Sequence, residues 1–353
     1  MLYILGRPLS PFYSLLMRFR ESLYRVGILR VTRMAIPVIS VGNLTMGGSG
    51  KTPVVQYIAR FLQDNGRRPA VISRGYGGSA RGRVNLVSDG SQVLLDAPEA
   101  GDEPRLLAET LPGVPVLTGR VRKYPAAMAM DMGADVLVLD DGFQHIALGR
   151  TVDLVLFNAD FLAGNSRVFP GGDLRESVKS LNRCDGFVMS GVCPRNRERA
   201  ERFTALLRKH FPDHPVFMAW YSPASLLYRD FEGKLQTRPL EELNDMRLFG
   251  FSGIAHPENF AQTLAQLGAP PCGFKSFPDH YLYREDDLKD IFQQAREQGA
   301  NGCITTEKDM VKMAAKGDRP FPLYALRMEV ELDTDFKEFL LARIGELGGV
   351  RSV

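Results

Sequence analysis

The chain has 353 residues, 44% of them hydrophobic and 24% charged, which suffices for two ordinary domains or one large one with a full core. Lysine and arginine exceed aspartate and glutamate by only three, 44 against 41, so the overall charge makes no case for a nucleic-acid binder. The four cysteines (Cys184, Cys193, Cys272 and Cys303) are widely spaced with no C-x-x-C pair, which excludes the common zinc and disulfide frameworks and suits a reduced, cytoplasmic compartment.

The amino terminus lacks a signal peptide's uninterrupted apolar centre, and no apolar stretch reaches the roughly 18 to 20 residues that span a bilayer. Residues 1 to 33 hold six arginines and one acid, Glu21, so six minus one gives a local charge of +5. Ser10-Pro11 reads as the cap and first position of a helix with Phe12, Leu15, Leu16, Phe19, Leu23 and Val26 on one face. Pattern alone leaves two readings open: an amphipathic helix packed on its own domain, or one resting in a membrane interface with its arginines on anionic head groups.

From Ile36 onward, strand-like runs alternate with helical periodicity: I-P-V-I-S-V, a helix from about Val54 to Leu62, A-V-I-S at 70 to 73, D-V-L-V-L-D at 135 to 140, D-L-V-L-F at 153 to 157 and G-F-V-M-S at 186 to 190. Continuous Val/Ile/Leu runs between helices predict a parallel sheet covered on both faces, with ligands at the carboxyl ends of its strands. After residue 215 a smaller α/β unit is expected, with L-F-G-F-S-G at 248 to 253, helices from Pro257 and from about 286 to 298, and G-C-I-T-T at 302 to 306. The segments 216 to 228 and 323 to 332 read as strands that pair to connect the units, and a last helix at about 334 to 347 is expected to return to the first. The expected division is 1–35, an amino-terminal basic segment; 36–215, the larger domain; 216–333, the smaller one with its linker strands; and a final helical stretch within 334–353.

Residues 45 to 52, T-M-G-G-S-G-K-T, stand between a strand and a helix. Glycines there let backbone N–H groups turn toward a polyphosphate, with Lys51 reaching the β and γ phosphates and the Thr52 hydroxyl on magnesium. The nucleotide contacts are therefore expected from Thr45, Met46, Gly47, Gly48, Ser49, Gly50, Lys51 and Thr52, although Thr45 stands where the strict pattern has glycine. Pro53 is tolerated in the first helical turn. Asp140 and Asp141 follow the apolar V-L-V-L run, where a second magnesium anchor beside a phosphate loop belongs, and two adjacent carboxylates favour a cation. A turn aspartate before glycine is the plain alternative.

Asp102, opening the helix R-L-L-A-E-T, reads by itself as a helix cap. His256, before Pro257, sits at another helix start, where the positive helix end favours neutral imidazole able to accept a proton, although by itself it reads as a capping or packing histidine. Basic residues gather in S-R-G-Y-G-G (Arg74), T-G-R-V-R-K-Y (Arg120, Arg122, Lys123) and F-P-G-G-D-L-R-E (Arg175), loops that suit convergence on anionic groups or plain surface exposure.

Taken in order, V-G-N-L-T-M-G-G-S-G-K-T-P, S-R-G-Y-G-G, G-D-E-P-R-L-L-A, T-G-R-V-R, D-D-G-F-Q-H, F-P-G-G-D-L-R-E, G-I-A-H-P-E-N-F and T-T-E-K-D-M-V-K closely resemble the tetraacyldisaccharide 4'-kinase family of lipid A biosynthesis, across about residues 36 to 313. That family's own phosphate loop carries threonine where Thr45 stands. The resemblance implies a phosphate-loop NTPase-like α/β domain with a smaller carboxyl-terminal α/β domain, ATP and Mg2+ as cofactors, and a tetraacyldisaccharide 1-phosphate acceptor. It also implies an amino-terminal segment on the cytoplasmic face of the inner membrane of a Gram-negative-type bacterium, with neither nucleic acid nor a protein partner. Carried over by motif, Asp102 is the base with His256 as its partner, Asp140 and Asp141 are magnesium-associated, and Glu176 assists them. Arg74, Tyr76, Arg120, Gln144 and Arg175 are the expected substrate contacts. The family usually has proline after L-R-E, where this chain has Ser177. Competing switch-protein readings lack support, since T-T-E-K-D places lysine one position too far for a guanine-reading [NT]-K-x-D and no His/Cys-rich metal site is present.

Overall fold

A computed structural model describes residues 3, 6–230, 235–279, 281–313 and 321–345 of the chain. The strands are β1 Val38–Asn43, β2 Pro69–Ser73, β3 Asn85–Ser88, β4 Val116–Thr118, β5 Val136–Asp140, β6 Val152–Asn158, β7 Gly186–Val192, β8 Val216–Arg229, β9 Leu235–Arg238, β10 Leu248–Ser252, β11 Gly273–Ser276, β12 Gly302–Thr306 and β13 Leu323–Leu332. They form one sheet in the order β11-β10-β12-β13-β8-β7-β6-β1-β5-β2-β4-β3, with β9 beside β8.

Pairing is parallel from β4 through β2, β5, β1, β6 and β7 to the start of β8. It is parallel again from β13 through β12 and β10 to β11. The strands at the centre of the larger unit are buried along their whole length, β1 as V-I-S-V-G-N and β5 as V-L-V-L-D, as a sheet with helices on both faces requires. On one face Ile39, Val41 and Val138 pack against Val54, Ile58 and Leu62 of the Lys51–Asp64 helix. On the other lie Phe143, Phe157, Phe187 and Leu207.

The expected connection between units is present. β8 and β13 run antiparallel from Leu323↔Arg229 to Leu332↔Ala219, and beyond them β10, β11 and β12 carry their own apolar clusters around Phe251, Ile291 and Cys303 and around Phe260, Leu264 and Ile304. The helix Thr334–Gly345 buries Phe336, Leu340 and Ile344 in the first unit's cluster, with Phe336 edge-on to Phe217 at 5.2 Å. Of the last expected stretch, residues 346–353 lie outside the described residues, as does His280.

The amino-terminal helix spans Ser10–Arg25 and has no buried residue. Ser10 does not cap it, Leu9 being the cap residue. The Ser10 hydroxyl instead donates to the Val168 carbonyl at 2.8 Å and accepts from Gly171 N–H at 2.8 Å. Tyr13 meets Phe169 edge-on at 5.5 Å, and Glu21 pairs with Arg183 at 3.1 Å. The helix is thus fastened by its polar side. Phe12, Leu15, Leu16 and Phe19 are 58–72% exposed on the other. Among the described residues no helix is long and apolar enough to cross a membrane.

Candidate functional site

The phosphate-loop turn lies between β1 and the Lys51–Asp64 helix. Thr45 is extended and bridges to Leu174, so the first position needs no glycine. The left-handed conformations fall at Gly47 (φ 106°) and Gly50 (φ 72°), where a side chain would be strained. Two residues from β7 and β8 brace the turn from below: Ser190 Oγ donates to the Ser49 carbonyl at 2.6 Å and Tyr221 Oη to the Gly50 carbonyl at 3.2 Å. A Cβ on Gly50 would stand 1.9 Å from that Tyr221 oxygen. Burial pushes the Tyr221 hydroxyl up to about 12, so it stays protonated and able to donate.

Lys51 Nζ donates to Asn43 Oδ1 at 3.3 Å and lies 3.5 Å from Asp141 Oδ1. Asp141, at φ 53°, accepts from Arg175 Nη1 at 2.9 Å on each oxygen. Burial drives its carboxyl upward, but Lys51 and Arg175 outweigh burial and hold it below the usual value. Gln144 ties the group together, donating to the Asn43 carbonyl at 2.9 Å and accepting from Arg175 at 3.3 Å.

Asp140 differs from its neighbour. It is buried at the end of β5, accepts from Ser73 Oγ at 3.2 Å, and its Oδ1 has no hydrogen-bond partner among the described residues. Burial and then Glu103 raise it to about 7, against the opposing pull of Lys51. A buried acid with an unpartnered oxygen that resists ionisation until a cation arrives is a fitting magnesium anchor. In the phosphate loop, Ser49 Oγ is likewise buried with no hydrogen-bond partner among the described residues. Among the described residues no three His, Cys, Asp or Glu side chains gather into a metal cage, so a cation here would draw on hydroxyl and phosphate oxygens as well.

The loop and its carboxylates open into a cleft of about 1150 Å³. Met46 through Thr52, Arg74, Tyr76, Asp102, Arg120, Asp141, Gln144, Arg175 and Glu176 all line it. Thr45 and Asp140 lie behind that surface. Glu176 is buried and joined to Arg183 at 2.6 Å; the same arginine holds Glu21, so this pairing also ties the amino-terminal helix to the wall. Asp102 is the first residue of the Asp102–Thr110 helix, with Gly101 as its cap residue, and lies 3.8 Å from the ammonium of Lys312. It is not the cap that its spacing suggested.

His256 departs from the expected pairing. It is not in the cleft lining; its ring stacks on Phe161 at 4.9 Å and meets Glu258 at 3.1 Å. At the cap position of the Pro257–Gln266 helix, its side chain is 41% exposed.

Three residues of the cleft carried no separate signal in the sequence, whereas Arg122 was among the basic residues expected to converge. Tyr13, Met17 and Arg20 of the amino-terminal helix line it, and Arg20 donates to the Gln144 carbonyl at 3.2 Å. Arg122 is buried behind the two aspartates, donating to the Asp141 carbonyl at 3.1 Å. With Arg122 nearby, burial lowers His145 to about 4, which leaves that ring neutral.

Comparison with known proteins identifies the family. The family model described as tetraacyldisaccharide-1-P 4'-kinase (LpxK) matches residues 2–345. The chain is 44% identical over 348 residues to the tetraacyldisaccharide 4'-kinase of Desulfotalea psychrophila, covering 98% of each chain. It is 40% identical to that of Syntrophus aciditrophicus, covering 94% of this chain and 90% of the relative. Among solved structures it superimposes with a TM-score of 0.78 and 31% identity on LpxK from Aquifex aeolicus in complex with ATP, covering 98% of this chain and 99% of that one.

Proposed function

The chain belongs to the tetraacyldisaccharide-1-P 4'-kinase family, and from that premise we propose how its cleft carries out the transfer. The activity is ATP-dependent phosphorylation of the 4'-hydroxyl of a tetraacylated glucosamine disaccharide 1-phosphate, giving the 1,4'-bisphosphate precursor of lipid A in lipopolysaccharide biosynthesis. The observation that carries the mechanism is the convergence of Lys51, Asp141, Arg175 and Asp102 on one cleft.

ATP lies with its phosphates on the loop amides of residues 46–52 and the positive end of the Lys51–Asp64 helix. In an in-line displacement the 4'-oxygen bonds to the γ-phosphorus, the bond to the β–γ bridging oxygen breaks, and ADP departs. Asp102 takes the hydroxyl proton. Lys51 stabilises charge on the transferred group. Thr52, Asp140 and Asp141 would hold magnesium, with Glu176 supporting their wall, and the ion would neutralise phosphate charge. Arg74, Tyr76, Arg120, Gln144 and Arg175 serve the anionic and sugar portions of the acceptor. His256 joins Asp102 by leaving its stack on Phe161 as the walls of the cleft approach.

We place the enzyme on the cytoplasmic face of the inner membrane. The support is the amino-terminal helix, whose Tyr13, Met17 and Arg20 line the cleft while Phe12, Leu15, Leu16 and Phe19 point outward. Such a helix can seat its apolar side at the acyl boundary, leaving the sugar head group to enter the cleft.

The test is transfer of label from γ-labelled ATP to a tetraacyldisaccharide 1-phosphate in mixed micelles with magnesium. Wild type should label the lipid and Lys51→Ala should not. Nucleotide hydrolysis without labelled lipid would overturn the acceptor assignment.

A further inference from the structure

The T-T-E-K-D-M-V-K segment, singled out by sequence, ends in a lysine whose side chain is completely buried. Lys312 Nζ bonds Asp309 Oδ1 at 2.9 Å, reaches the Gly253 carbonyl at 3.4 Å and lies 3.8 Å from Asp102 Oδ2. Asp309 is itself fully buried, its other oxygen accepting from Thr306 Oγ1 at 2.7 Å and from Gly253 N–H at 3.0 Å. A charged lysine out of water is costly unless paired. Here one cation faces two carboxylates from different parts of the chain, and Asp309 fixes where it sits.

We infer that Lys312 is the positioning residue for Asp102: it carries the second unit's charge across to the first unit's base and holds that carboxylate in its reactive orientation. The inference rests on Asp102 being the base. The 3.8 Å separation is an ion pair and too long for a hydrogen bond, so the ammonium orients the carboxylate without taking an oxygen lone pair that the substrate hydroxyl needs. The arrangement also explains why Lys312 must be so deeply held. An exposed lysine on a flexible stem would not fix one geometry, whereas the Asp309, Thr306 and Gly253 contacts do. Lys312 touches no reacting atom in this account and acts only through Asp102.

The experiment is a double-mutant cycle on the full-length enzyme, using label transfer to the lipid acceptor. Lys312→Met should lower kcat about tenfold or more while the KM for ATP is unchanged, as expected when a transition-state interaction alone is lost. In an Asp102→Asn background the same substitution should have no further effect on kcat, because residues acting as a unit are non-additive. Because removing Lys312 leaves Asp309 unpaired in the interior, the cycle is repeated with Lys312→Met/Asp309→Asn, which deletes both charges; thermal unfolding is recorded for every variant. The double variant should fold yet show the same kcat loss and the same silence in the Asp102→Asn background. Equal losses with and without Asp102, or full kcat in the folded double variant, would overturn the role of Lys312. Wild-type kcat in Asp102→Asn alone would instead remove the base assignment beneath it.

Discussion

The phosphate side of the cleft and the expected proton partner are held differently. On the phosphate side nearly every functional atom is held from more than one direction: Lys51 by Asn43 and Asp141, Asp141 by Lys51 and Arg175, Gln144 by Asn43 and Arg175, and the loop carbonyls by Ser190 and Tyr221. Outside the cleft lining, the expected proton partner His256 is substantially exposed, resting on Phe161 and Glu258. Charge stabilisation of a transferring phosphoryl group works best when donors are preorganised, whereas a proton partner needs to be in place only when the acceptor is bound. The nucleotide half of the site is held by many contacts in this structure, and the proposed pairing of His256 with Asp102 requires the histidine to move.

If that division is right, His256→Ala should reduce kcat by about a hundredfold, the low end for acid–base catalysis, while ATP affinity and thermal stability are unchanged. Loss of ATP binding in this variant would place His256 on the wrong side of the comparison. The braced side should respond in the opposite manner. Gly50→Ala, with its Cβ against Tyr221 Oη and a φ of +72°, should weaken ATP binding by about tenfold. Adding Tyr221→Phe should restore part of it, since the hydroxyl is gone but the backbone strain remains. No recovery at all would show that the Tyr221 contact is not what constrains the turn.

A third, smaller effect follows from Asp140. Its folded value is raised from 3.8 to about 7, so the folded protein retains a proton that the unfolded chain releases at lower pH. The stability this residue contributes is therefore present below about pH 4 and is lost as pH rises toward 7. Unfolding curves of the ligand-free protein should show that decline, and Asp140→Asn should flatten it. An identical slope in the variant would contradict the buried-acid reading. The smallest effect on folding belongs to the amino-terminal helix: Phe12→Asp with Phe19→Asp should change stability by only about 0.5 kcal/mol, yet release the enzyme from anionic vesicles. By contrast, Phe336→Ala in the other terminal helix should cost about 3–5 kcal/mol. Retained vesicle binding by the aspartate variant would detach that helix from the membrane.

Much of this was legible in the residues because the informative segments are local. The runs that became β1, β5, β6 and β7 are rich in Val, Ile, Leu, Phe and Met, and a strand, a glycine-rich turn and Lys-Thr fall within one short segment. The brief strands β3, β4, β9 and β11 have three or four residues each, too few to show a period. Contacts made across the chain were also silent. No local pattern marked Tyr221, which the fold sets against Gly50, and the segment ending in Lys312 was marked only by resemblance, with nothing in it pointing to Asp102. For His256 the helix start was visible, but which way the ring faces depends on Phe161, whose neighbourhood no local pattern encodes.

The most direct test of the account compares ATP binding with single-turnover label transfer to the tetraacyldisaccharide 1-phosphate in one preparation of Asp102→Asn. The account predicts binding equal to wild type and transfer slowed by about 10² to 10⁴, separating a preformed nucleotide site from the chemistry that Asp102 performs. Transfer at the wild-type rate, or ATP binding lost along with it, would contradict that separation.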